Sequence, residues 1–349
     1  MVSDGVDEDS RLRTSCAQGA EWRYGRARSR QGPRRTRRRG AGRAGAGDRR
    51  ERGLGRRPAM AGGLRGGAPA SVRALLLRRG HGGLRAALGR EPGPAHPGEV
   101  GRGAYADAPL ATRLRDGELV SSSSQPSLMA MMLAELRVRD GDRVLEIGAG
   151  TGYNAALLAH RLGDDRVTTV DLEPEITEAA RRHLAAAGYH PVVVTGDGAR
   201  GVPERAPFDR IIATCTLASV PAAWLAQCRP GARILSPLAT GLIALTVRDA
   251  RHAEGRFLHT PAYFVPLRGA DRPDEGPADL DALPRPARES ELFRFLLVLS
   301  RGRLEPREAY ALWEREGQPR RERYGITVSG DREWAWLDDP EGPCAWPLR

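Results

Sequence analysis

The stretch DRVLEIGAGTGYNAA, Asp142–Ala156, decides the fold. Its first part, Arg143–Ile147, reads as a short buried strand. Three glycines follow, Gly148, Gly150 and Gly152, and YNAALLAHRL (Tyr153–Leu162) then places apolar residues at three- and four-residue spacing, the period of a helix. A strand that enters a glycine turn and continues as a helix offers a ligand backbone N–H groups and the positive end of a helix.

Outward from this unit the pattern repeats. DRVTTVDLEP gives a second strand ending on Asp171, and Glu173 and Pro174 fit the first turn of a helix that closes at Gly188. PVVVTGDG is a third strand, FDRIIATC a fourth, AAWLAQCRPG a helix and ARILSPL a fifth strand. Strands alternating with helices of this length indicate βαβ units around a parallel sheet. GLIALTVRD and GRFLHTPAYFVPL follow with no helix between them, which predicts antiparallel edge strands. The expected fold is therefore α/β, a doubly wound, mostly parallel sheet with antiparallel edges, preceded by a disordered tail and followed by a small C-terminal module. The expected boundaries are a tail over 1–100, the α/β domain over 101–267, a Pro-rich linker over 268–289 and the module over 290–349. In that module AYALWEREG reads as a helix and REWAWLDDP as a Trp-rich strand and turn. Trp313, Trp334, Trp336 and Trp346 fit either a core or a peptide-binding face.

The glycine turn admits two ligands, a dinucleotide pyrophosphate or S-adenosylmethionine. Glu146 stands two residues before the first glycine, and an anion there suits a cationic sulfonium ligand and opposes a pyrophosphate. Tyr153 occupies the place where a dinucleotide fingerprint wants Gly or Ala. Asp171 at the second strand tip is placed to accept both ribose hydroxyls, and Asp197 and Gly198 at the third can cap an adenine amino group. Three acids at successive strand tips, on the ligand-binding edge of a doubly wound sheet, point to S-adenosylmethionine as cofactor. Its expected binding residues are Glu146, Gly148, Gly150, Gly152, Asp171, Asp197 and Gly198.

Composition narrows the partners. The chain has 349 residues and a net charge of +11, with no lysine. Residues 1–100 carry +14 and the remainder −3, so the basicity belongs to the Arg/Gly-rich tail. Such tails bind RNA through phosphate contacts, but this one lacks the interleaved Tyr or Phe that stacks bases, so nucleic acid is not the expected partner. No apolar run reaches the length of a membrane span, and the acidic start MVSDGVDEDS has no signal-peptide core. The four cysteines form no C-x-x-C pair and the seven histidines no H-E-x-x-H, so a cytoplasmic protein without a metal is expected.

Upstream of the glycine turn stands VSSSSQPSLMAMMLAEL, Val120–Leu136. A serine in S-x-P ahead of an apolar helix, followed by GDRVLEIGAGTGYNAA, resembles the protein-L-isoaspartate O-methyltransferase family. YADAPL (Tyr105–Leu110) is similar to the segment that family places before its active-site loop, and PFDRIIATC with WLAQCRPGARILSPL to its fourth and fifth strands. The resemblance implies a Rossmann-like class I methyltransferase that methylates an isoaspartyl or aspartyl carboxylate in a protein or peptide, the ester leading to a succinimide. It also implies that Ser124 and Ser122 are the catalytic hydroxyls. An ionised carboxylate is already a nucleophile at pH 7, so alignment and exclusion of water suffice and no general base is needed. Ser124 also stands where an N-cap of the following helix is expected. The chain resembles more closely still an actinobacterial branch whose members methylate an aspartate of a ribosomal precursor peptide, through the extended serine run, GYNAAL, GRFL with PLR, and the tail RRERYGITVSGDREWAWLDDPEGPCAWPL. Two departures from the family stand out. Its N-terminal V-P-R-x-x-F segment is not recognisable before Tyr105, and Ser123 stands where repair enzymes often carry an apolar residue. Readings of a different class are an RNA methyltransferase, whose N-P-P-Y signature is absent where ATCTLASVP stands, and a non-catalytic cofactor-binding module.

Overall fold

The computed structural model describes residues 106–115, 118–268, 280, 283–300 and 302–348. The Arg/Gly-rich tail and most of the linker lie outside these residues.

A ten-stranded sheet carries the fold, in the spatial order β5-β4-β3-β6-β7-β8-β9-β10-β11-β12. Its parallel half is β3 (Val144–Ile147), β4 (Val167–Asp171), β5 (Val192–Thr195), β6 (Phe208–Ala213) and β7 (Cys228–Leu238). β3 and β4 are buried along their whole length, which is why they read as apolar runs rather than alternating ones. The chain winds from β3 outward to β5, then crosses back to β6 on the other side of β3. The strand order thus reverses between β3 and β6, and in such sheets ligands bind at that switch point, beyond the carboxyl ends of the strands.

Helices cover both faces. α1 (Pro126–Leu136) and α2 (Tyr153–Leu162) bury Met129, Met132, Leu133, Leu136 and Leu158 against Ile212, Leu235 and Leu242. α3 (Pro174–Ala186) starts at the Glu173-Pro174 pair, as its sequence requires, and packs Leu184 on Ala155 and Ala156. On the other face α4 (Ala222–Ala226) is one short turn carrying the fully buried Trp224. It is shorter than the sequence suggests because β7 already begins at Cys228.

The antiparallel half is longer than the sequence pattern indicates. β8 (Gly241–Asp249) and β9 (His252–Pro261) are antiparallel as expected, but the edge lies further on. β10 (Tyr324–Ser329), β11 (Arg332–Leu337) and β12 (Ala345–Pro347) continue the same sheet, with β10 paired to β9. Ahead of them α5 (Arg285–Glu289), α6 (Glu291–Leu299) and α7 (Pro306–Arg315) place Phe293, Phe295, Leu296, Leu312 and Trp313 in one core with Trp224, Ile234 and Ile243. Trp313, Trp336 and Trp346 are buried at 2 to 4% exposure, so they are core side chains and not an exposed peptide-binding face.

Outside the large sheet stands one hairpin, β1 (Leu110–Arg115) and β2 (Glu118–Ser123), with an irregularity at Thr112. The serine run is its second strand. Ser124 does not cap α1: Gln125 is the N-cap and makes no side-chain cap bond. Asp107 does that work from upstream, accepting the Ser127 N–H at 2.9 Å.

Candidate active site

Beyond the ends of β3, β4 and β6 opens a solvent-facing cleft, at the switch point where a doubly wound sheet takes its ligand. Its floor is the turn Gly148–Thr151 with Tyr153 and Asn154 of α2. Ser121–Ser124 form one wall, and Asp171, Leu172 and Gly198 also line the cleft. Val265–Arg268 lines it as well, held in place by Leu267 N–H donating to Thr216 O at 2.9 Å and Thr216 N–H to Val265 O at 2.8 Å.

The turn requires its glycines. Gly148 has φ +97°, and a Cβ there would stand 2.5 Å from the Thr214 hydroxyl, which donates to the Gly148 carbonyl at 3.0 Å. Gly152 has φ +85° and begins α2, where a Cβ would press on Leu184 at 3.0 Å. Gly150 lies under β2, with the Ser122 carbonyl 3.5 Å from its Cβ position.

Glu146 sits in the floor with 1% exposure. Burial raises its carboxyl from 4.5 to about 7, with the neighbouring Thr169 hydroxyl and the Asn154 amide drawing it partly back. Asn154 Nδ2 donates to Oε1 at 2.8 Å, while Oε2 and the Asn154 Oδ1 are buried without a hydrogen-bond partner, the Thr169 hydroxyl lying near the carboxyl but outside hydrogen-bond geometry. Asp171 is engaged on both oxygens: Oδ2 accepts the Gly150 N–H at 3.2 Å and Oδ1 faces Arg268 Nη2 at 3.1 Å. Arg268 also pairs with Glu173.

Of the expected residues, Ser122, Ser124, Glu146, Gly148, Gly150, Asp171 and Gly198 line one cleft. Gly152 shapes the start of α2 just behind it. Asp197 is not among the lining residues; its Oδ1 accepts the Ala199 N–H at 2.9 Å and caps the turn that presents Gly198. Trp224 supports the same turn, donating Nε1–H to the Gly198 carbonyl at 2.8 Å. Sequence reasoning saw the serine run but gave Ser121 and Ser123 no role in the site, and it missed Asn154 and Arg268. The serines stood in plain view, as the alternate members of the run, and Asn154 one turn of chain beyond the glycines. Arg268 had no local signal, since it reaches Asp171 across 97 positions.

A glycine cradle at the switch point of a doubly wound sheet, with acids at the strand tips, defines a Rossmann-like nucleotide-cofactor site. The particular lineage follows from the sequence. Residues 97–271 match the family described as protein-L-isoaspartate(D-aspartate) O-methyltransferase (PCMT). The chain is 36% identical over 188 residues to the protein-L-isoaspartate O-methyltransferase of Hyperthermus butylicus, covering 50% of this chain and 75% of that protein. It is 37% identical over 201 residues to that of Methanoculleus marisnigri, covering 56% and 88%. A solved protein-L-isoaspartate O-methyltransferase is 25% identical with a TM-score of 0.49, over 75% of this chain and 96% of the other. The chain belongs to the protein-L-isoaspartate(D-aspartate) O-methyltransferase family, and it is a protein carboxyl methyltransferase that uses S-adenosylmethionine.

The cleft fits that cofactor. Two unpartnered acceptors, on Glu146 and Asn154, suit its ammonium group, and the acid at the β4 tip suits its ribose. Among the described residues no helix is long and apolar enough to cross a membrane, and no cluster of His, Cys, Asp and Glu could hold a metal ion.

Proposed function

We propose that this protein methylates the carboxylate of an isoaspartyl residue in a peptide or protein, with Ser124 and Ser122 as the hydroxyls that align the acceptor. The observation that carries the reading is the composition of the cleft: a wall of four serines stands beside the glycine cradle. A carboxylate acceptor needs no general base, because it is ionised at neutral pH. An amine acceptor would first have to lose a proton. S-adenosylmethionine supplies an electrophilic methyl on a sulfonium. The protein's part is to hold the acceptor oxygen in line with it and to keep water away.

In this reading Asp171 receives the ribose, the turn Gly148–Gly152 the amino-acid end, and Gly198, set by the Asp197 cap, borders the adenine. The ester would then close to a succinimide by attack of the next backbone amide, outside the transfer step itself. A second reading, an enzyme dedicated to a ribosomal precursor peptide, is favoured by Ser123, a hydroxyl where repair enzymes often carry an apolar residue. In either case the partner is a protein or peptide carrying isoaspartate or aspartate.

Steady-state transfer from labelled S-adenosylmethionine to a synthetic isoaspartyl peptide and to its aspartyl twin tests the proposal. Turnover of the isoaspartyl peptide alone supports the first reading. Turnover of the aspartyl twin at an equal or better kcat/KM would replace it with the second.

A further inference from the structure

Nine buried side-chain polar atoms among the described residues have no hydrogen-bond partner, and three of them, on Ser123, Glu146 and Asn154, belong to residues that line the cleft. A buried hydroxyl without a partner costs free energy, and such a group calls for a cause. For Ser123 the strand geometry indicates one.

Successive side chains of a strand point to opposite faces, so Ser121 and Ser123 share one face of β2 and Ser122 takes the other. The face of Ser121 and Ser123 looks onto the glycine turn: the Ser121 hydroxyl lies 4.0 Å from the Cβ position of Gly150. Ser121 is already engaged, accepting from the Thr112 hydroxyl at 2.9 Å across the hairpin. Ser123 is 3% exposed, and its hydroxyl is free to donate. The same cleft holds the complementary pair of free acceptors, Glu146 Oε2 and Asn154 Oδ1. One donor and two acceptors lining a single cleft are the hydrogen-bond complement of an α-ammonium carboxylate.

We propose that Ser123 is a specificity residue for the cofactor, its hydroxyl donating to the carboxylate at the amino-acid end of S-adenosylmethionine, while Ser122 and Ser124 serve the substrate. This rests on the cofactor assignment made above. The hydroxyl run thereby divides by residue, Ser123 for the methyl donor and Ser122 and Ser124 for the acceptor, within one cleft.

Isothermal titration of the full chain with two ligands tests it: S-adenosylhomocysteine, which has the amino-acid end, and 5′-methylthioadenosine, which lacks it. Wild type should bind the first more tightly. Ser123→Ala and the near-isosteric Ser123→Cys should each weaken S-adenosylhomocysteine by about tenfold to a hundredfold, the range for a hydrogen bond to a charged group. Binding of 5′-methylthioadenosine should stay within twofold. The ligand-free Ser123→Ala protein should melt no lower than wild type, since it loses an unsatisfied buried hydroxyl; a merely structural serine would lower the melting point instead. Unchanged S-adenosylhomocysteine affinity with a raised peptide KM would overturn the proposal by moving Ser123 to the substrate side, and equal losses for both ligands would overturn it as well. A wild type that bound neither ligand would overturn the cofactor assignment together with this inference.

Discussion

In the mouth of the cleft Arg268 Nη2 lies 3.1 Å from Asp171 Oδ1, so the carboxylate assigned to the ribose already holds a guanidinium on one oxygen and the Gly150 N–H on the other. A ribose must share Asp171 with Arg268 or displace it. The Arg268 side chain is 35% exposed and also pairs with Glu173, while the Asp171 side chain is 9% exposed, so solvent screens the pair from the arginine side and its worth is about 1 kcal/mol. Arg268→Ala should therefore strengthen adenosine binding by no more than about fivefold. Asp171→Ala should weaken it about tenfold or more, through loss of charge-assisted hydrogen bonds. Calorimetric titration of both variants with adenosine measures the two signs.

Glu146 predicts a pH dependence. Its carboxyl stands at about 7 in the folded chain against an ordinary 4.5, so the folded protein binds this proton more tightly than the unfolded one. The associated stability is complete below about pH 4.5 and is lost as pH rises through about 7, to a total of at most about 3 kcal/mol. Thermal melts of the ligand-free protein across that window should show this slope, and Glu146→Gln should flatten it. A cationic ligand favours the ionised carboxyl, so S-adenosylmethionine affinity should rise from pH 5.5 to 8, with proton release on binding below pH 7.

The substrate-side hydroxyls are separable from the cofactor. Ser124→Ala and Ser122→Ala should lower kcat for peptide methylation by about tenfold to a hundredfold, the effect of removing an aligning contact, with S-adenosylhomocysteine affinity unchanged. Single-turnover kinetics on cofactor-saturated protein isolates the step.

The C-terminal strands should matter at a distance. Glu333 of β11 is 2% exposed and accepts the Val220 N–H on both oxygens, at 3.0 and 3.1 Å, just ahead of the turn that carries Trp224. Glu333→Ala leaves that N–H buried, at a cost of about 2 kcal/mol, or roughly 5 °C in Tm. Adenosine affinity should fall as well, because Trp224 holds the Gly198 carbonyl. Differential scanning calorimetry and the same titration check both.

The parallel half of the fold was legible because its determinants are local. The glycine turn, the Pro174 start of α3 and the strand-tip acids each announce themselves within a few residues, and α2 runs over the Tyr153–Leu162 that its periodicity marks. What escaped reading depends on distant partners. β10 pairs with β9 across some 70 residues, and nothing in RYGITVS says which strand it joins. The serine run carries no alternation of apolar and polar residues, so its pairing with Leu110–Arg115 was invisible, and with it the division of its hydroxyls between two faces. Asp197 illustrates the opposite limit: a strand-tip acid in the expected place, its side chain turned to cap its own turn.

The central claim is that the methyl goes to a carboxylate oxygen, and the stability of the product bond tests this most directly. An isoaspartyl peptide should be methylated with labelled S-adenosylmethionine and then exposed to mild base. The account predicts that the label leaves as methanol, as expected of a methyl ester. A label that stays on the peptide through base treatment would place the methyl on nitrogen and contradict the account.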